Sequence, residues 1–166
     1  MHLLDSGEFS FDANSIVDFV KTATLPLLDR LFEGRALISD FVVNELAAAS
    51  IEWKEAQVVV LGDESDLQLF EDIRRKNPPL GAGEVGAITV ARLRGAGLIT
   101  NDRQARRAAG ELNIPVSGSL AILRYAVEIS IISGEEAFRI LSEMIVAGAW
   151  LSDELVESFR KDVLKM

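Results

Sequence analysis

As far as residue 119, short apolar runs alternate with longer stretches whose apolar residues recur every three or four positions. Phe9 to Ala13 reads as a first strand after a polar start that holds Asp5, Gly7 and Glu8. Helical spacing follows at Ile16, Val17, Phe19 and Val20. It resumes at Leu25, Leu27, Leu28, Leu31 and Phe32 after an interruption at Thr22 to Pro26, and Gly34 closes the region. Ala36 to Ser39 reads as a second strand, with Ser39 or Asp40 capping a helix through Val43, Leu46 and Ala47. Val58 to Leu61 is β-branched and ends at Gly62-Asp63, which suits a third, edge-like strand. A helix over Leu67 to Arg75 stops before Pro78-Pro79, because a residue preceding proline is pushed out of the α region. Gly83 to Arg94 then predicts a helix, Leu98 to Asn101 a strand, Arg103 to Leu112 a helix and Ile114 to Ser117 a last short strand.

Strands separated by helical segments imply βαβ units. The expected fold is therefore α/β: a three-layer α/β/α sandwich around a central, mostly parallel sheet. Beyond Ser119 the pattern is helical only, over Leu120 to Ile129, Glu135 to Ala147 and Ser152 to Leu164. Ser133 and Glu136 complete a Ser-x-x-Glu capping box, whereas Ser152 and Leu155 do not. With no internal repeat or low-complexity linker, residues 1–166 read as one domain with 134–166 as a helical tail packed on it.

Two stretches share one design, Ser10-Phe11-Asp12-Ala13-Asn14 and Leu98-Ile99-Thr100-Asn101-Asp102: an apolar run ends in a carboxylate and a helix begins. Ligands of open α/β sheets bind in the crevice beyond the carboxyl ends of the strands, so Asp12 and Asp102 on neighbouring strands would face one site. With Glu45 and Glu84 they form a cluster suited to a hard divalent cation, which prefers oxygen ligands. Packed carboxylates otherwise repel one another and bind protons. Each also has a plainer reading. Asp12 and Asp102 suit helix N-caps, Glu45 a solvated helix face, and Glu84 a first helical turn whose dipole favours negative charge. Their convergence on one sheet edge favours the cluster.

Composition narrows the choice. The chain has 166 residues, 49% hydrophobic and 26% charged, a globular composition without a secretory leader pattern or an uninterrupted apolar span, and the expected place is the cytoplasm. The absence of cysteine removes disulfides, thiolate nucleophiles and zinc-thiolate sites. The single histidine, His2, reads as a solvated residue near the chain start, which argues against histidine chemistry. A net charge of −9 excludes a broad positive grip on nucleic acid, although a metal ion supplies positive charge locally. An acidic body also suits a basic partner peptide.

Other signals compete. Gly81-Ala82-Gly83-Glu84-Val85-Gly86 fits the dinucleotide-binding pattern, with Asp102 at a suitable distance. No strand precedes it, however, and Glu84 would face the pyrophosphate. Arg103, Arg106 and Arg107 open a helix, where the dipole disfavours positive charge, so they suit either RNA backbone contacts or a solvated face. Arg74-Arg75-Lys76 is a further candidate rim or simply an exposed charge run. Trp53, Trp150 and Tyr125 are able to stack bases, but their apolar or helical neighbours favour the core or an interface.

The segments Phe11-Asp12-Ala13-Asn14-Ser15-Ile16-Val17-Asp18-Phe19, Val42-Val43-Asn44-Glu45-Leu46, Gly83-Glu84-Val85-Gly86-Ala87-Ile88 and Leu98-Ile99-Thr100-Asn101-Asp102-Arg103-Gln104-Ala105-Arg106 resemble the PIN-domain family, in particular its virulence-associated ribonuclease-toxin branch. Val116 to Leu123 is similar to the family's last strand and following helix, and Gly148 to Leu155 resembles the branch's helical tail. The resemblance implies a Mg²⁺- or Mn²⁺-dependent endoribonuclease, often dimeric and held inactive by an antitoxin. Asp12, Glu45, Glu84 and Asp102 would then be the acidic quartet, with Asp12, Asp102 and Glu84 on the metal. Asn14, Thr100, Asn101, Arg103 and Arg106 would line the substrate side. Asn101 departs from the branch, which commonly has a second acid there, and an amide offers a carbonyl ligand without charge. Asp5, in Leu3-Leu4-Asp5-Ser6, is a rival for the first-strand acid, but no helix starts after it. The apolar residues of the tail suffice to close the domain and to pair with a second copy or an antitoxin.

Overall fold

A computed structural model describes residues 2–166. Along them lie β1 (Phe9–Phe11), α1 (Ala13–Lys21), α2 (Leu25–Leu31), β2 (Ala36–Ser39), α3 (Asp40–Ala48), β3 (Gln57–Val59), α4 (Glu64–Lys76) and α5 (Ala82–Arg94). There follow β4 (Gly97–Ile99), α6 (Arg103–Glu111), β5 (Val116–Ser117), α7 (Ser119–Glu128), α8 (Gly134–Val146) and α9 (Asp153–Leu164). The five strands form one sheet in the order β3-β2-β1-β4-β5, every pair parallel. The sheet is thus wholly rather than mostly parallel, because each crossover is made by helices. β3 is an edge strand, as its exposed β-branched residues suggest, and it begins one residue earlier than the pattern indicated.

The order fixes where a ligand crevice lies. From β1 the chain steps outward to β2 and β3, then returns to the other side of β1 to add β4 and β5. The crossovers diverge between β1 and β4, so their carboxyl ends flank the topological switch point. Ser10 pairs in register with Leu37 on one side and Leu98 on the other.

Alternation along β1 assigns its two faces. Ser10 turns to α5, where its hydroxyl donates to the Ala87 carbonyl at 2.8 Å, so a small polar residue lets this helix lie against the strand. Phe9 and Phe11 turn the other way and meet the Phe32 ring edge-on at 5.5 and 5.1 Å, with Trp53 on Phe11 at 4.9 Å. Gly97 is required beside them: a Cβ there would stand 2.7 Å from the Phe9 ring.

Several local expectations change. The first and fourth strands end at Phe11 and Ile99, before Asp12 and Thr100, whose amides still bond the carbonyls of Ile99 at 3.1 Å and Ser117 at 3.0 Å. α4 begins at Glu64, earlier than its apolar periodicity, because Asp63 accepts the Asp66 amide at 2.8 Å. The polar start forms a 3-10 helix, Leu3–Asp5, capped by His2, whose ring accepts from the Leu4 amide and stacks on Tyr125 at 4.9 Å. His2 is therefore a structural cap rather than a freely solvated residue. Asp5 is consumed in the same turn, bonded to the His2 amide, which removes it as a rival acid. Trp53 and Tyr125 are buried, Trp53 donating to Asp29 at 2.6 Å, whereas Trp150 is 81% exposed and departs from the core reading.

α8 packs on α7 and α1, and α9 on α8 and α7. Ile140, Leu141, Met144, Phe159 and Val163 carry these contacts into the core. Among the described residues no helix is long and apolar enough to cross a membrane.

Candidate functional site

Asp12 directly follows β1, and Asp102 lies three residues beyond the end of β4. Each is the N-cap of the following helix: Asp12 Oδ1 accepts the Ser15 amide at 2.8 Å, and Asp102 Oδ2 accepts the Ala105 amide at 3.0 Å. The plain capping reading is thus correct for both, and it does not compete with a site. Capping uses one oxygen of each carboxylate and leaves the other out of the capping bond.

Thr100 ties the two together. Its buried hydroxyl donates to Asp12 Oδ2 and accepts from the Asp102 amide at 3.1 Å. Asp12 is 2% exposed. Burial pushes its carboxyl above the usual range, hydrogen bonds from Thr100 and Ser15 oppose the rise, and the charge of Asp102 adds to it. Ser15 contributes a second feature. Its hydroxyl, 1% exposed and near enough to Asp12 to act on its pKa, makes no hydrogen bond of proper geometry.

Glu84 and Glu45 approach from α5 and α3. Glu84 bonds the Gly81 amide at 3.0 Å, and its carboxyl is raised by burial and then by the charges of Asp102, Asp12 and Glu45. Glu45, exposed on α3, accepts the Gly83 amide at 3.1 Å. A Cβ at Gly83 would collide with that carboxylate, and one at Gly86 would stand 2.7 Å from Ser39 Oγ. The glycines that mimic a phosphate-binding loop instead let the start of α5 close on α3.

The polar residues divide. Asn14 is exposed on the first turn of α1. Asn101 is bound to Ser119 at both ends of its amide, accepting its main-chain N–H at 2.9 Å and donating to its hydroxyl at 2.8 Å. Its carbonyl is therefore already engaged, and it links the loop after β4 to the start of α7. Arg103 and Arg106 are exposed on the first turn of α6 and have no carboxylate partner among the described residues. Arg107 lies 3.9 Å from Glu111. Arg74 and Arg75 pair with Glu71 and Asp72 on the exposed face of α4.

Asp18, Ser15 and Ser119 were not singled out from sequence. Asp18 is half-buried, approached by the Asn101 amide at 3.5 Å, and raised first by burial and further by Asp12, against the opposing charge of Lys21. A signal existed: Ser15 and Asp18 are three residues apart and share the helix face that begins at Asp12.

A family model described as DUF3368: PIN domain matches residues 9–165, so the chain belongs to the PIN-domain family. Such domains are typically nucleases that use divalent metal ions. No curated protein matched the sequence. The residues present suit such an ion in two respects: the carboxylates repel one another, and the Ser15 hydroxyl buried beside Asp12 makes no hydrogen bond of proper geometry. Among the described residues no three His, Asp or Glu side chains converge as a ligand group.

Proposed function

We propose that the protein is a Mg²⁺- or Mn²⁺-dependent endoribonuclease that hydrolyses RNA phosphodiester bonds as the toxin of a type II toxin–antitoxin module. In this reading it acts in the cytoplasm as a homodimer restrained by an antitoxin. The observation that carries the catalytic part is the buried Asp12 carboxylate at the switch point, held by Thr100 and placed in the fields of Asp102 and Glu84.

Asp12 and Asp102 would hold the ion, with Glu84 as a further ligand, while Glu45 completes the acidic site and orients water. Bound there, the cation would supply relief of charge on the phosphoryl oxygens and a water of lowered pKa. The chain's own work is positioning. The first-turn amides of α1 and α6 hold one oxygen of each aspartate, and Thr100 fixes Asp12 Oδ2. Asn14, Thr100, Asn101, Arg103 and Arg106 form the substrate side, Asn101 through its hold on Ser119.

The test is cleavage of a mixed RNA pool by wild type and Asp12→Asn, with Mg²⁺, with Mn²⁺ and with chelator. Metal-dependent cutting lost in the variant is the expected result; equal cutting by the two removes Asp12 from the mechanism. Asn101, an amide held by Ser119 where the branch commonly has a second acid, favours a second reading, a catalytically silent module acting through a protein partner. That reading predicts no cutting under any condition together with tight partner binding.

A further inference from the structure

Among the described residues, Ser15 carries the one wholly buried side-chain polar atom that makes no hydrogen bond of proper geometry. Its amide is committed to Asp12 Oδ1 at 2.8 Å, but its hydroxyl is not committed to any group of the chain. Hydroxyls deeper in the helices avoid this state by donating to the carbonyl four residues back, Thr89 to Val85 at 2.7 Å and Ser142 to Phe138 at 2.8 Å. Ser15 stands in the first turn of α1, where the residue four back is Phe11, already part of β1. Alanine would serve this turn better as a helix former, and a buried hydroxyl without a partner is destabilising. The hydroxyl therefore suits a partner from outside the chain.

Two carboxylates flank Ser15, Asp12 three residues before it and Asp18 three residues after, at the spacing that makes helix neighbours. Each Asp12 oxygen already accepts one bond, from the Ser15 amide or the Thr100 hydroxyl, which leaves lone pairs for a cation. Asp18 is half-buried, approached by the Asn101 amide at the long distance of 3.5 Å. Lys21 follows on the same helix, but its ammonium donates to the Ala147 carbonyl at 3.4 Å. The two acids lie within each other's field, for the charge of Asp12 raises the Asp18 carboxyl. A hard divalent cation retains water, and such water turns its hydrogens outward and needs acceptors. We infer that Ser15 and Asp18 are positioning residues for the cation at Asp12, the Ser15 hydroxyl oxygen and the Asp18 carboxylate both accepting from a water that the ion retains. The Ser15 proton is then free to donate to Asp12, which holds that ligand in place. The inference rests on the metal-dependent reading of the site and adds two residues to it.

The test is Mn²⁺ binding in the absence of RNA, read from the electron paramagnetic resonance of the free ion, for wild type, Ser15→Ala, Asp18→Asn and the double variant. Each single change should weaken binding by about ten-fold, the lower end of what partners behind a metal's ligands contribute. The double variant should lose less than the two factors multiplied, because both residues act on the same water. Ser15→Ala alters no charge, so its loss is not one of overall electrostatics. Thermal melting in chelator supplies a readout apart from the metal: Ser15→Ala should melt no lower than wild type, since alanine favours the helix and removes the unpaired hydroxyl. Wild-type affinity in Ser15→Ala makes the hydroxyl a packing feature and overturns the inference while leaving the metal-dependent reading intact. Losses that multiply in the double variant overturn the shared water. Failure of the wild type itself to bind Mn²⁺ overturns the inference and the metal-dependent reading together.

Discussion

Asp12 combines two roles that usually separate: it caps a helix, and its folded environment resists its charge. Because burial, then Asp102, holds its proton affinity above the ordinary carboxylate value, the folded metal-free protein binds that proton more tightly than the unfolded chain. Asp18 and Glu84 act in the same direction. Their contribution to stability is complete below the ordinary carboxylate range and is lost as pH rises through the raised values. Thermal unfolding of the metal-free protein should show this decline, and Asp12→Asn should raise Tm at pH 8 by about 2–4 °C, the change that 1 kcal/mol makes in a chain of this size. A lower Tm in the variant would show that the capping bond outweighs the buried charge. Thr100→Val keeps the shape but leaves Asp12 Oδ2 without its donor, at a cost of about 1–3 kcal/mol. It should also move the acidic limb of the pH–rate profile to higher pH, which simple destabilisation would not do.

At the level of elements, the contact of α3 with the start of α5 is set by missing side chains. Helix propensity favours Ala over Gly by up to about 1 kcal/mol, yet Gly83→Ala should destabilise, because its Cβ meets the Glu45 carboxylate. In a Glu45→Ala background the same change should be neutral or stabilising, and a double-mutant cycle by denaturant unfolding measures the reversal. The alternation of apolar runs and helical periods revealed nearly every element, and the two carboxylates after strands were visible because strand ends and helix caps both leave local signatures. What remained hidden was nonlocal. Nothing near Asn101 announces that Ser119 occupies its amide, and the neighbours of Trp150 suggested the core or an interface. The glycines at 83 and 86 imitated a phosphate loop because close helix packing and close phosphate approach make the same demand for a bare Cα.

For the whole molecule, the acidic surface and acidic site make a cation the natural stabiliser. Mg²⁺ at about one hundred times its Kd should stabilise the wild type by about 2.7 kcal/mol, and Asp12→Asn should lose most of that gain in a melting series. An equal shift in both proteins would indicate screening of the net charge of −9 rather than a site.

Thr100 and Asp12 are bonded across 88 positions of sequence, through strands that meet only after two others have been laid down on the opposite side. A chain emerging from the ribosome therefore carries its first acid long before the partner that positions it. Any nuclease activity is withheld until β4 has been made and threaded beside β1, a pairing that ranks among the slow events of folding. Fragments released before residue 102 therefore lack part of the candidate acidic site.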